Sequence, residues 1–345
     1  MPSATRPRIA IVGAGIAGLT CARRLADAGL APVVFDKSRG LGGRIATRRT
    51  AEGLTFDHGA QFARAHGSDF AAVLKAAIEA GMAAPWPAAD AIDAAPSGTG
   101  ERIVGIPGMS SLVKPLATGL DIRVSHTLEG LRRDGGTWRL TFAEAEASAH
   151  VADAVALCLP APQVAALLPD HGSARAELER VRIAPCWTLM VAFDAPPAGL
   201  PDAARCDAGP IAWIARSASK PGRPGEPPGF VVHATPDWSR AHLELTKEEA
   251  CTRLLTALGD LAGAPLPPVR HAAAHRWRYA MTETPLGRPF LEIAPDGLFA
   301  AGDWCLGARV EAGHDSGAAL ADRLLTARDL TRRAGADARV GTADA

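Results

Sequence analysis

Three stretches of the chain combine residue types and spacings able to grip a phosphate-bearing ligand. The first, RIAIVGAGIAGLTCARRLADAGL from Arg8 to Leu30, sets Gly13, Gly15 and Gly18 between an apolar run, Ile9 to Val12, and a segment with Ile16, Leu19 and Leu25 at helical spacing. Gly13 permits a tight turn, Gly15 lets the backbone approach a pyrophosphate, and Gly18 lets helix and strand pack closely. The helix N-terminus presents free N–H groups to the negative charge. Pro32 to Phe35 reads as a second parallel strand, and Asp36 at its tip is placed to accept hydrogen bonds from a ribose diol. Strand, glycines, helix, strand and acid arrive in the order that dinucleotide binding requires. Ala17 and Lys37, in the same two turns, complete this group of expected cofactor contacts.

The second stretch, KSRGLGGRIATRR, follows Asp36 directly. Gly42 and Gly43 let a loop lie flat against a diphosphate, and Arg44 can pair with it through a bidentate fork. An acid, five residues and then GGR is similar to the second signature of the FAD-dependent amine oxidase and glutathione reductase type families. The third stretch, FAAGDWCLGARVEAGHDSG from Phe299 to Gly317, lies at the far end of the chain. Leu298 to Ala301 reads as a last strand carrying Gly302 and Asp303 at its carboxyl end, the edge where ligands bind in an open α/β sheet. In flavoproteins of this shape such a pair holds the ribityl and pyrophosphate segment. Gly313 to Leu325 then reads as a helix whose N-terminus aims partial positive charge at the flavin N1 and C2 carbonyl.

Elements that could position these stretches are visible in the patterning. A chain of 345 residues with 48% hydrophobic content has material for two lobes. The expected fold class is α/β, an FAD-binding Rossmann-type domain of the glutathione reductase and amine oxidase type with a second α+β substrate domain. The first is discontinuous, 1–62, 103–170 and 270–330; the second comprises 63–102 and 171–269; and 331–345 reads as a flexible tail. LRRDGGTWRLTF (131–142) reads as a hairpin turning at Asp134-Gly135-Gly136, and VADAVALCLP (151–160) as one buried strand. In the substrate half, 187–193, 211–215 and 230–235 read as strands and 245–263 as an amphipathic helix, while SASKPGRPGEPPG (217–229) reads as a mobile loop.

Composition excludes several function classes. Lys plus Arg and Asp plus Glu balance at 37 each, so no basic surplus points to nucleic acid or anionic lipid. Six scattered cysteines lack the spacing of a zinc site or a disulfide scaffold, and read as reduced thiols in a cytoplasmic protein; no metal is expected. Arg6, Arg8 and the following apolar run have the outline of a secretory leader, but the glycine spacing assigns them to the nucleotide turn. Val151 to Pro169 comes nearest to a membrane span and is interrupted by Asp153, Pro160 and Pro162.

Segments between the nucleotide signatures carry a closer likeness. FDKSRGLGGR (35–44), FDHGAQF (56–62), GIPGMSSL (105–112), WIARSASKPGR (213–223), VVHATPDWSR (231–240), AHRWRYA (274–280) and AGDWCLGARVE (301–311) together resemble the bacterial branch of the renalase family, small FAD-dependent oxidoreductases of amine oxidase ancestry. The resemblance implies non-covalently bound FAD, a hydride passed from an isomeric dihydronicotinamide dinucleotide to flavin N5 with release of NAD(P)+, and O2 reduced to H2O2. It further implies that Gln61 and Phe62 lie beside the flavin, that the backbone near Ala60 closes over its ring, and that His233 and Trp277 come from the substrate lobe.

Two departures from that pattern lie at the expected flavin face. His314 and Asp315 stand where the family has an aromatic and an apolar residue, and Phe62-Ala63-Arg64 follows Gly59-Ala60-Gln61 where the family has tyrosine, an aliphatic or aromatic residue and threonine. Phe62, His233, Trp277 and His314 are the expected catalytic set. His314 and Asp315 point about 100° apart on a helix and are not expected to form a dyad. Hydride transfer to a flavin needs no general base, and none is signalled; His58 reads as a strand-end or core histidine, and Cys305 as a packed thiol. Amine oxidation is the alternative chemistry, although no lysine stands just ahead of the final strand. A flavin-binding protein without turnover is the third reading. The expected partners are a small-molecule substrate and O2.

Overall fold

Ile9–Val12 is apolar at every position and buried on both faces, as a central parallel strand must be. In the computed structural model it pairs in parallel with Val33–Phe35 on one side and Ala154–Leu157 on the other. The structure describes residues 7–87, 101–144, 146, 148–168, 172–207 and 209–340, with side chains of the last helix to residue 326. Asp121–Arg123 and Leu298–Ala300 extend the sheet in parallel, and Leu291–Ala294 closes one edge antiparallel, giving six strands. The strand order reverses between Ile9–Val12 and Ala154–Leu157, the switch point at which open α/β sheets bind ligands.

Two helices meet on one face of this sheet, Ile16–Asp27 and Val310–Val340. Their closest approach needs glycine: a Cβ on Gly317 would lie 2.1 Å from the Ala17 carbonyl oxygen, and one on Gly313 would lie 2.8 Å from Ile16 Cγ2. The last helix therefore starts three residues before the expected Gly313 and runs beyond Leu325. Of the tail expected at 331–345, residues through Val340 are helical in backbone and 341–345 lie outside the described residues. The other face is covered by a sheet of Leu128–Asp134, Thr137–Phe142 and His150–Ala152, whose Trp138, Leu140 and Phe142 pack with Phe35 and Val155. Its hairpin turns at Gly135-Gly136 with positive φ at both, as the sequence indicates.

Two local readings need correction. The single strand expected over 151–160 is two, because the backbone N–H and guanidinium of Arg8 hold Asp153 and the chain changes sheet there. The helix Ser68–Glu79, assigned to the substrate half with the rest of 63–102, buries Phe70, Leu74 and Ala77 in the core that holds Ile11, Leu19 and Leu320. It sits on the Rossmann-type domain, and residues 88–100 of that stretch lie outside the described residues.

The second sheet is antiparallel throughout, in the order Ala203–Arg205, Ile211–Arg216, Gly229–Ala234, Arg182–Phe193, Val269–Thr284. One face buries Leu189, Val191, Phe230 and Val232 under the helix Lys247–Ala262, whose Ala250, Leu254 and Leu258 recur every four residues. Thr246 and Glu249 close that helix with a capping box and Gly263 ends it in the left-handed region. Val269–Thr284 is the surprise. The sequence assigns residues from 270 to the cofactor half, yet this strand pairs along Arg182–Phe193 and is the second sheet's edge. Its run of arginine, histidine and threonine hides the strand periodicity, and its far end reaches back to the first domain, where Thr282 meets Asp303.

Candidate active site

The glycine turn is built as tightly as its spacing implies. Gly13 has φ +111°, and a Cβ there would lie 2.3 Å from the Cys158 carbonyl oxygen; a Cβ on Gly18 would lie 1.9 Å from that of Gly13. Around Gly15, in contrast, nothing lies within 4 Å of the Cβ position, leaving open space at the helix N-terminus. Asp36 braces the turn, accepting hydrogen bonds from Ala14 N (2.6 Å) and Ser38 N (2.7 Å). A carboxylate has about four acceptor positions, so a diol can still be received there. Gly42, at φ +103°, bridges back to Gly15 and donates to Ala14 O, which lays the second signature beside the first.

Arg44, expected on the diphosphate, lines the cavity and pairs with a carboxylate of the chain itself. Its guanidinium forks onto the Asp303 carboxylate, Nη1 standing 2.9 Å from Oδ2 with Nη2 on Oδ1, and donates to Ala280 O. The residues expected on the diphosphate and the ribityl chain thus clasp each other, because the GGR loop and the last strand converge at one sheet edge. Gly302 N donates to Ser316 Oγ at 2.8 Å, tying the end of that strand to the last helix.

Beyond this clasp lies the segment His58 to Phe62. Gly59 rests on the Arg44 loop so closely that a Cβ would lie 2.0 Å from Arg44 O, and Ala60 N donates to the same oxygen at 2.8 Å. Trp277 donates its indole N–H to His58 O (2.8 Å), and Gln61 Nε2 donates to Gly59 O (3.0 Å) and faces His233 Nε2 at 3.3 Å. Phe62 forms a triangle of rings with Trp86 and Trp213, at centroid distances of 6.4 and 6.0 Å. Glycine turn, clasp and aromatic wall line one cavity of about 2130 Å³ between the two sheets. That is more than twice the roughly 1,000 Å³ upper end for drug-sized ligands, room for a dinucleotide and a substrate together.

Of the four expected catalytic side chains, Phe62, His233 and Trp277 line this cavity and His314 does not. His314 is buried against Phe70 (5.2 Å), its ring nitrogen 2.9 Å from Asp315 Oδ1. The two do pair, contrary to the angular argument, and they pair away from the cavity. Ala17, Lys37, Gly43, Ala60 and Gly313 all line it.

Three groups escaped the sequence reading. Glu311, in the first turn of the last helix, is 2% exposed and accepts from His66 N and Gly67 N, both at 2.7 Å, so it caps the helix Ser68–Glu79 from outside. Burial raises its pKa, and these hydrogen bonds outweigh that and hold it low. Lys220 and Arg223, from the loop expected to be mobile, are buried on Asp57, which also accepts from Thr47 Oγ1 and Met109 N. Asp57 therefore anchors a network. Burial works to raise its pKa, but Lys220, Arg223 and the Met109 N–H bring it down to about 2.

His58, His233 and His275 are each held at about 4: by burial first in all three, then by Arg48 at His58, Lys220 at His233 and His58 at His275. The imidazoles are neutral at pH 7. Folded pKa values below the ordinary 6.5 mean that the unfolded chain binds more protons between about 6.5 and 4, so stability falls as pH falls through that window. We expect about 2–4 kcal/mol to be lost between pH 7 and 5, with His275 contributing least because solvent screens it. Urea unfolding at several pH values checks this; a flat profile over that range would contradict it.

A model of the flavin-containing amine oxidoreductases matches residues 87–325, most of the chain, and one of NAD(P)-binding Rossmann-like domains matches 11–77. The chain belongs to the flavin-containing amine oxidoreductase family. A 15-cis-phytoene desaturase from Synechococcus elongatus is 46% identical over 52 residues, 15% of this chain and 11% of that protein, so the chain spans a small part of that relative's length. The crystal structure of a protein assigned as a protoporphyrinogen oxidase, from Exiguobacterium sp. 255-15, superposes with a TM-score of 0.73 at 17% identity, covering 93% of this chain and 99% of the other; that likeness is one of fold. FAD is this family member's cofactor, and the cradle fits it: the positions where a Cβ would collide are those packing the turn, and the open one faces the cavity. FAD is held without a covalent bond, and burial pushes the Cys305 thiol up to about 12, which keeps it unreactive. Among the described residues no helix is long and apolar enough to cross a membrane, and no cluster of three His, Cys, Asp or Glu forms a metal site.

Proposed function

We propose that this protein is a renalase-like oxidase, taking a hydride from an isomeric dihydronicotinamide dinucleotide and releasing NAD(P)+. The observation that carries this reading is the charge of the cavity wall. Eleven Lys and Arg line it against three Asp and Glu; Glu244 and Glu311, just outside the lining, pair with three of the arginines, and the face stays basic. A cofactor diphosphate offsets about two of the positive charges, so the remainder favours a second anionic dinucleotide and opposes a protonated amine.

FAD, when bound, supplies a hydride acceptor at N5 and passes the electrons to O2, giving H2O2. The protein's part is placement. Phe62, Trp213 and Trp277 offer flat apolar walls to a dihydropyridine ring. The neutral imidazoles of His58, His233 and His275 add no charge to repel the pyridinium that hydride loss creates. No proton has to be removed, so the wall need supply no general base.

Anaerobic mixing of the yellow holoprotein with an isomer-containing dihydronicotinamide dinucleotide preparation tests the proposal. Bleaching of the flavin by that donor, and none by a panel of primary and secondary amines, is expected. Bleaching by an amine alone would replace this reading with amine oxidation. Flavin left oxidised by every donor would point to a binding protein without turnover.

A further inference from the structure

Behind the wall that Gln61 and His233 present to the cavity lies an ionic cluster with unequal charge. Lys220, 3% exposed, and Arg223 share a single carboxylate, Asp57, 4% exposed: Arg223 Nη2 lies 2.6 Å and Lys220 Nζ 3.3 Å from the same Oδ2. Two cations on one anion leave one positive charge in excess where water is excluded. The other groups facing Lys220 are uncharged: the Trp86 ring, 4.9 Å from Nζ, and Gln61 Oε1, which accepts from Nζ at 2.9 Å. His233, beyond Gln61, is neutral and can accept from the Gln61 amide at 3.3 Å. An excess buried charge is unfavourable unless negative charge arrives nearby.

The cavity supplies a place for such charge. With the nucleotide end of FAD at Gly13 to Gly18 and its middle at the Gly43 to Arg44 loop, an extended molecule would bring its ring to the wall of Ala60, Gln61 and Phe62, which lines the same cavity. A hydride brings two electrons and one proton, and leaves the reduced ring with one negative charge unless a further proton is taken up. We propose that Lys220 is a positioning residue that fixes the Gln61 amide and carries a positive charge to the cavity wall, stabilising the reduced, anionic flavin. The proposal rests on FAD in this cavity and is independent of the donor. Burial, helped by Arg223 and opposed by Asp57, brings the Lys220 ammonium down to about 8, so the charge is present at neutral pH and lost above it.

The test is the flavin midpoint potential of the holoprotein, measured below and above the Lys220 titration, for wild type, Lys220→Met and Lys220→Arg. Lys220→Met leaves Asp57 and Arg223 as a balanced pair, and the fold is expected to persist. At neutral pH the Met variant should favour reduced flavin about tenfold less, a potential about 30 mV lower for a two-electron couple. Lys220→Arg should recover it, and the gap between wild type and Met should close at high pH. Equal potentials at neutral pH, a drop shared by the Arg variant, or a gap that persists at high pH would each overturn the proposal. If the Met variant fails to retain FAD, Lys220→Gln, which can still bond Gln61 Oε1 but carries no charge, is read in the same way.

Discussion

Replacing Asp57 by alanine will destabilise the protein by about 3–5 kcal/mol, the largest single loss expected. The reason is the company Asp57 keeps. Lys220 and Arg223 are both buried on its Oδ2, and truncation leaves two cations without their counter-ion in a site closed to water. Thr47 Oγ1 and Met109 N also lose their acceptor, which detaches the Gly105–Met109 turn from the Gln61 segment. Denaturant unfolding of the holoprotein measures the loss. Adding Lys220→Met to Asp57→Ala should return part of it, since one unpaired cation is then removed. A double variant no more stable than the single would mean that the carboxylate acts through packing rather than charge.

The second large effect is on the glycine turn, where Gly18→Ala and Gly15→Ala should behave differently. Gly18 has no space: the added methyl would lie 1.9 Å from Gly13 O, and backbone must move to admit it. Overpacking of this kind costs about 1–3 kcal/mol. The shift moves the N-terminus of the helix Ile16–Asp27, so FAD affinity should fall about 10–100-fold as stability falls. Gly15→Ala meets nothing within 4 Å and should leave stability unchanged, while its methyl projects into the space that the diphosphate needs and weakens FAD alone. Isothermal titration of the apoproteins with FAD, set beside their melting temperatures, separates the two. Equal affinities for Gly15→Ala and wild type would place the diphosphate elsewhere.

What was legible in the chain follows from the range of the interactions. The glycine turn, its strand and its helix were readable because adjacent residues build them, and the same holds for the Gly135-Gly136 hairpin and the helix Lys247–Ala262. Partnerships between distant residues were not. Arg44 reaches Asp303 across 259 positions and Lys220 reaches Asp57 across 163, and no local pattern marks either pair. Lys220 in particular lies in a stretch of proline, glycine and serine that reads as solvated loop, and its burial is decided by a carboxylate elsewhere. His314 failed for a related reason: its place at the start of a helix was clear, but which face the helix turns to the cavity depends on Gly313 and Gly317 packing against Ile16 and Ala17. The polar strand Val269–Thr284 was hidden because arginine and histidine on its faces obscure the alternation that normally identifies a strand.

The central claim is that Gly13 to Gly18, the Gly43 to Arg44 loop, Asp303 and the Gln61 wall enclose one molecule of FAD without a covalent bond. The most direct measurement is to denature the purified yellow protein in acid, separate the precipitate, and identify and count the flavin in each fraction. The account predicts one FAD per chain, all of it in the supernatant. A protein that is colourless and takes up no FAD when supplied with it, or flavin retained on the precipitated chain, would contradict it.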